Sequence, residues 1–201
     1  LKQKNNKGSR DVWLNAAFES LINGGVEAVR IQLLSKKLNL SRASFYWFFE
    51  DREELLAALL ELWRNKNTKN LIAQTNAYSE TITEAILNIF DCWFDQNLFD
   101  SHLEFSIRSW ALQSEDAARY VSQADKSRLE ALKSMFIEYD YAPLSADVRA
   151  RSIYLTQIGY ISMKTDEDLD TRMHRIPEYV TIFTDKEAKD NELKRFYSRH
   201  R

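Results

Sequence analysis

"LSRASFYWFFEDREELL", residues 40–56, sets five aromatic side chains side by side, Phe45 to Phe49, and then turns acidic. A helix buries one side of itself, so five consecutive rings cannot all enter one core. In a helix from Arg42 to Phe49, Phe45 and Phe49 stand four apart and share the face that packs on neighbouring helices. Tyr46 and Trp47 then project elsewhere, with Ala43 and Trp47 on the opposite face.

Working upstream, "RIQLLSKKLNLS" places Ile31, Leu34 and Leu38 at helical steps and ends at Asn39, a residue that tolerates the left-handed conformation. The turn Asn39-Leu40-Ser41 leads straight into the next helix, which Ser41 can cap. Before it, "SRDVWLNAAFESLINGG" spaces Trp13, Ala16, Ala17 and Leu21 as a first helix, with Ser9 as cap and Gly24-Gly25 as stop. Two short helices joined by so tight a turn match the helix-turn-helix, whose second helix enters the major groove of DNA. Arg42 and Ser44 then occupy the first turn, where such a helix meets base edges. Arg42 can bond a guanine bidentately, Ala43 or Trp47 can touch a thymine methyl, and the Tyr46 hydroxyl can reach a phosphate.

Composition agrees with an all-α protein. Two prolines and four glycines in 201 residues are few for a sheet with many tight turns. A single cysteine, Cys92, excludes an internal disulfide and fits a reducing compartment. Apolar runs such as "ELLAALLELW" fall far short of the ~20 residues that span a bilayer, and the basic start "LKQKNNKGSR" is not followed by an apolar signal core. A cytoplasmic protein without membrane contact is expected. The net charge of −2 divides unevenly, with +4 in residues 1–52 and −6 in the remainder. A basic head on an acidic body suits a chain that meets a polyanion at one end. Lys2, Lys4, Lys7, Arg10, Lys36 and Lys37 are the cations available to neutralise phosphates.

Downstream, Asp51 is placed to cap a long helix, "DREELLAALLELWRNKNTKNLIAQ", with Leu55, Leu56, Leu59, Leu60 and Trp63 on one stripe. Helical patterns follow in "TITEAILNIFDCWFDQN", "FDSHLEFSIRSWALQSE", "DAARYVSQADKSRLEALKSMFIEYD" and "SADVRARSIYLTQIGYISMK", and an acidic turn, "TDEDLD", precedes a last helix near 170–185. The division expected is a helix-turn-helix domain over 1–52 and a helical effector-binding and dimerisation domain over 53–201. Phe90, Trp93, Phe94, Phe105 and Trp110 either line an apolar ligand pocket or serve as ordinary core. Ala150, Ile153, Tyr154, Gln157, Ile158 and Ile161 form a stripe that faces either a second subunit or the chain's own core, and Gly159 permits close helix approach.

"AVRIQLLSKKLNLSRASFYWFFEDREELLAALLELW" closely resembles the DNA-binding head of tetracycline-repressor-type (TetR family) transcriptional regulators. By position, the resemblance implies that Arg42, Ala43, Ser44 and Trp47 face bases, that Tyr46 and Phe48 lie along the backbone, and that Arg52 binds a phosphate. With Ser41, Lys36 and Lys37 these complete the expected DNA-facing set. Three residues depart from the family pattern: Asn39 for a usual Gly, Phe48 for a usual His, and Glu50 for a usual Lys. The last two weaken nonspecific affinity. "IRSWALQSEDAARYVSQADKSRLEALKSMF" is similar to the body of the same subfamily. The resemblance further implies a homodimer, its helices around 146–164 and 168–185 pairing with their counterparts in a four-helix bundle.

Catalysis finds little support. His102, His174 and His200 are scattered without metal-ligand spacing, "TDEDLD" lacks the central Gly of a calcium loop, and no Gly-rich phosphate loop or nucleophile elbow occurs. No enzyme, cofactor or metal is expected. The functional expectation is a dimeric repressor that binds two half-sites of double-stranded DNA and is released by a small-molecule effector. The alternative is an all-helical ligand-binding or adaptor protein that has weakened or lost DNA binding.

Overall fold

The computed structural model describes residues 8–200 and is all-α, with twelve α-helices and no strand among them. Lys2, Lys4 and Lys7, expected on phosphates, lie outside the described residues. Among the described residues no helix is long and apolar enough to cross a membrane. The helices divide into two compact units, the first running to Arg64 and including His102–Val121, the second comprising Asn65–Ser101 and the chain from Ser122 onward.

The first unit is built on α1 (Arg10–Gly24), α2 (Ile31–Leu38), α3 (Arg42–Phe45) and α4 (Arg52–Trp63). Three of these start on a side-chain cap: Ser9 accepts from Val12 N, Ser41 from Ser44 N and Asp51 from Glu54 N. Each cap satisfies an amide that has no partner inside the helix, an interaction typically worth ~1 kcal/mol. Helix α2 stops at Asn39, which is left-handed (φ 51°, ψ 43°), while the Leu40 amide reaches back to the Ser35 carbonyl at 3.0 Å. Asn tolerates that left-handed conformation, so the turn closes without glycine. Trp13, Leu21, Leu34, Phe45, Phe49, Leu55 and Leu59 are fully or almost fully buried. Helix α7 (Ser101–Ala111) contributes Glu104, which is also fully buried. Its carboxylate accepts from Trp63 Nε1 at 2.6 Å and from Arg108 Nε at 2.9 Å, so the charge is paired where it is desolvated.

In the second unit α6 (Ile82–Phe94) is surrounded by α5 (Lys69–Thr75), α11 (Ile176–Thr184) and α12 (Asp190–His200). Helix α9 (Pro143–Ser162) packs on α11, and α10 (Leu169–His174) adjoins it. Helix α8 (Glu115–Glu138) carries Arg128, which is fully buried. Arg128 donates to Thr68 Oγ1 at 3.0 Å and to the Tyr154 hydroxyl at 2.9 Å, and that hydroxyl donates to Asp125 at 2.6 Å.

Two expected helices differ, and one further helix was not expected. The long fourth helix is α4 followed by a π-helical stretch, Arg64–Thr68, and then α5. The last expected helix is broken at Arg175 into α10 and α11. Helix α12 was not foreseen, because it is polar almost throughout. Glu192 anchors it, accepting from Thr81 and Thr83 at 2.6 and 2.8 Å, while Arg199 pairs with Asp91 at 2.9 Å.

Candidate nucleic-acid interface and body cavity

The rings of 45–49 divide. Phe45 and Phe49 are buried and stacked at 5.4 Å, and Phe45 meets Trp13 edge-on at 5.2 Å. Tyr46 and Trp47 are 57 % and 61 % exposed. The α-helical hydrogen bonding of α3 is shorter than the sequence suggests, ending at Phe45, and Tyr46–Phe48 form a turn that the Phe49 amide closes onto the Phe45 carbonyl at 3.1 Å. Two buried anchors thus hold a short segment from which Tyr46 and Trp47 face water.

Ser41, Arg42 and Ala43 are exposed, and Phe48 is half-buried. Among the described residues Arg42 makes no side-chain hydrogen bond or ion pair, so its guanidinium fork is available for a bidentate acceptor. Ser41 spends its hydroxyl on capping α3. Ser44, expected to face bases, is buried instead, and its hydroxyl donates to the Ser41 carbonyl at 2.8 Å. The reason is geometric: three residues on from the cap, its side chain folds back under the first turn. Arg52 is also turned inward. Its Nε donates to the Val29 carbonyl at 2.7 Å, its Nη2 to that of Val26 at 3.0 Å, and Nη1 meets Glu53 at 3.3 Å. This residue, expected on a phosphate, ties the start of α4 to the turn before α2.

The surrounding charge is mixed. Lys36 is exposed, whereas Lys37, also exposed, pairs with Glu19 of α1 at 2.7 Å. The Arg10 guanidinium lies 4.7 Å from the centre of the Phe49 ring. Glu50 is exposed, and its amide donates to Glu54 at 2.6 Å.

The second unit holds a cavity between α6, α9, α10 and α11. Phe90, Trp93 and Phe94 line it as expected. Phe105 and Trp110 do not, because both sit on α7, which belongs to the first unit. Sequence reading missed Phe183, Tyr179, Tyr160, Arg172 and Arg175. These come from helices far along the chain, and spacing within one helix carries no signal for such convergence. The Tyr160 and Tyr179 hydroxyls lie 2.8 Å apart. That hydrogen bond, with burial, pushes the Tyr179 phenol up to about 12. Arg175 bonds Glu167 at 2.5 Å, which holds the guanidinium more firmly protonated. The cavity volume is about 40 Å³, small beside the ~300–1,000 Å³ of pockets for drug-sized ligands.

The expected dimer stripe faces inward on α9. Ala150, Ile153, Tyr154, Gln157 and Ile161 are buried within the chain, and Ile158 is half-buried. Tyr154 is held there by the Arg128 network, and Ile153 and Gln157 line the cavity. Facing outward along α9 are Leu144, Val148 and Leu155, which are 77 %, 53 % and 58 % exposed, and on α11 Ile182 is also exposed.

Residues 14–59 match the family model described as bacterial regulatory proteins, tetR family. No curated protein sequence matches the chain. Among solved structures, Salmonella enterica GusR superposes with a TM-score of 0.66 at 14 % identity, over 88 % of this chain and 91 % of that one. SmeT, the repressor of the Stenotrophomonas maltophilia multidrug efflux pump SmeDEF, gives 0.66 at 16 % identity over 94 % and 95 %. A Mesorhizobium loti structure assigned to the TetR family gives 0.60 at 14 % identity over 98 % of each chain. At these identities the structures attest the shared fold, and the family match covers the head.

Proposed function

We propose, from the premise that this chain is a TetR-type DNA-binding regulator, that it acts as a homodimeric repressor whose hold on its operator is released by a small molecule. The observation that carries the reading is the outward face of residues 42–47. Arg42, Ala43, Tyr46 and Trp47 are exposed on a segment anchored by two buried phenylalanines. A rigid base-reading face needs that combination, since side chains on a mobile support would lose the geometry of a bidentate contact. Arg42 reads a base, Trp47 and Ala43 supply apolar contact, and Tyr46 and Lys36 meet the backbone.

Dimerisation places the outward row Leu144, Val148 and Leu155 of α9, with Ile182 of α11, against the same surface of a second copy. These apolar side chains recur at steps of four and seven along one helical face, as a helix–helix seam requires. Two heads then contact half-sites about 34 Å apart, one helical turn of DNA. Helices α9 and α11 carry the dimer face on one side and line the cavity on the other. A ligand that parts them alters the seam, hence the spacing of the heads, and favours the state that no longer fits the operator.

Selection of bound duplexes from a random-sequence pool tests this reading, with recovery of a palindrome whose halves are centred one turn apart as the expected result. Enrichment of no sequence would overturn it. One observation favours the alternative of an adaptor with lost DNA binding: Glu50 is exposed while Arg52 and Lys37 are engaged within the protein. Titration with random duplex separates the two. A DNA binder shows affinity that falls steeply with salt, and an adaptor shows none at any ionic strength.

A further inference from the structure

We propose that the body cavity receives a flat aromatic molecule bearing one negative charge, with Arg172 as counter-charge and Gln157 as the hydrogen-bonding group that orients it. The proposal deepens the reading of this cavity as the effector site and rests on it.

The walls set the shape. Phe90 and Trp93 lie 5.1 Å apart, Phe90 meets Phe183 at 6.4 Å, and Phe183 stacks on Tyr179 at 5.7 Å. Such faces accept a planar apolar body by offset or edge contact.

The charges set the sign. Arg175 is compensated by Glu167. Asp91, also on α6, is occupied by Arg199 and His200 of α12. Arg172 has no ion pair among the described residues. Its guanidinium lies 4.8 Å from the Phe94 ring centre, and its single hydrogen bond goes to the Trp93 carbonyl at 3.5 Å. One uncompensated guanidinium thus remains on the lining, next to aromatic faces. It attracts a carboxylate and repels an ammonium.

Gln157 supplies the polar contact. Its side chain is only 7 % exposed and lines the cavity, yet its carboxamide has no hydrogen bond among the described residues. The carboxamide is open to the cavity, so it has both a donor and an acceptor to offer a bound molecule.

The test is calorimetric titration of the full-length chain with three probes of one shape: naphthalene-1-acetate, naphthalene-1-acetamide and 1-(aminomethyl)naphthalene. The acid is expected to bind about tenfold or more tightly than the amide, as hydrogen bonds to a charged group do relative to neutral ones, and the amine least. Arg172→Gln should bring the acid down to the level of the amide, Arg172→Lys should restore part of the preference, and Gln157→Leu should weaken acid and amide alike. Amide binding equal to acid, tightest binding of the amine, a preference that survives Arg172→Gln, or binding of none of the three would each overturn the assignment. Running the same probes against the operator complex in a gel-shift assay keeps the two readings apart. Tight acid binding without release leaves the ligand class standing and removes the effector role, whereas release by the amide as readily as by the acid does the reverse.

Discussion

Residues 45–49 in the head and 90–94 in the body are both dense in aromatic side chains, yet the first shows two of its rings to water and the second turns its rings inward. The difference lies in the neighbours. Helix α3 is a single turn, and Phe45 and Phe49 use up the contacts that α1 and α2 offer, leaving Tyr46 and Trp47 uncovered. Helix α6 is thirteen residues long and flanked by α5, α11 and α12, so Phe90 meets Phe183 and Phe94 meets Phe196. Whether a ring is a recognition surface or a wall is therefore decided by how many elements surround its helix.

The comparison can be broken most sharply at Cys92, which lies between Phe90 and Trp93 on α6. Burial pushes its thiol up to about 12. Alkylation at pH 8 in the native protein should be on the order of 10³-fold slower than that of a free cysteine, because only the thiolate reacts. Reaction at the free-cysteine rate would mean that the inner face of α6 is open. Next in size, Phe45→Ala should destabilise the protein by about 3–5 kcal/mol in denaturant titration, as removal of a buried ring does. A loss under 1 kcal/mol would remove Phe45 as an anchor. Arg42→Ala should weaken specific DNA binding by about 1–3 kcal/mol and relax one base position, and an equal loss on random duplex would deny it a base-reading role. At the small end, Trp47→Ala should change stability by about 0.5 kcal/mol or less, since the ring is largely solvated, while lowering operator affinity. A large drop in melting temperature would show that the exposed ring supports the fold.

The head was largely legible in the sequence because its signals are local. A cap, a left-handed Asn and two phenylalanines four apart all lie within 39–49, and each has a physical meaning on its own. The assignment of Ser44 to the outside failed at the same scale, since a hydroxyl that bonds the Ser41 carbonyl folds inward. Arg52 shows the next level of difficulty. Its partners, Val26 and Val29, lie 26 and 23 residues away, and nothing in the neighbouring sequence marks them. In the body, the stripe on α9 is visible in the sequence as an apolar face, but periodicity does not say whether a chain's own helices or a second copy covers it. Burial of Tyr154 against Arg128 decides for the former. Helix α12 left little apolar pattern to read beyond Phe196, because its docking relies also on Glu192, Arg195 and Arg199 reaching partners more than a hundred residues earlier.

Of the five tryptophans, Trp13 and Trp63 are wholly buried, Trp110 nearly so and Trp93 half-buried, which leaves Trp47 as the exposed one. The chain thus carries its own optical probe. A collisional quencher such as iodide should dim the red-shifted indole emission of Trp47 first, and a duplex laid across that ring should shield it, so occupancy of the proposed reading face can be followed by fluorescence without any added dye.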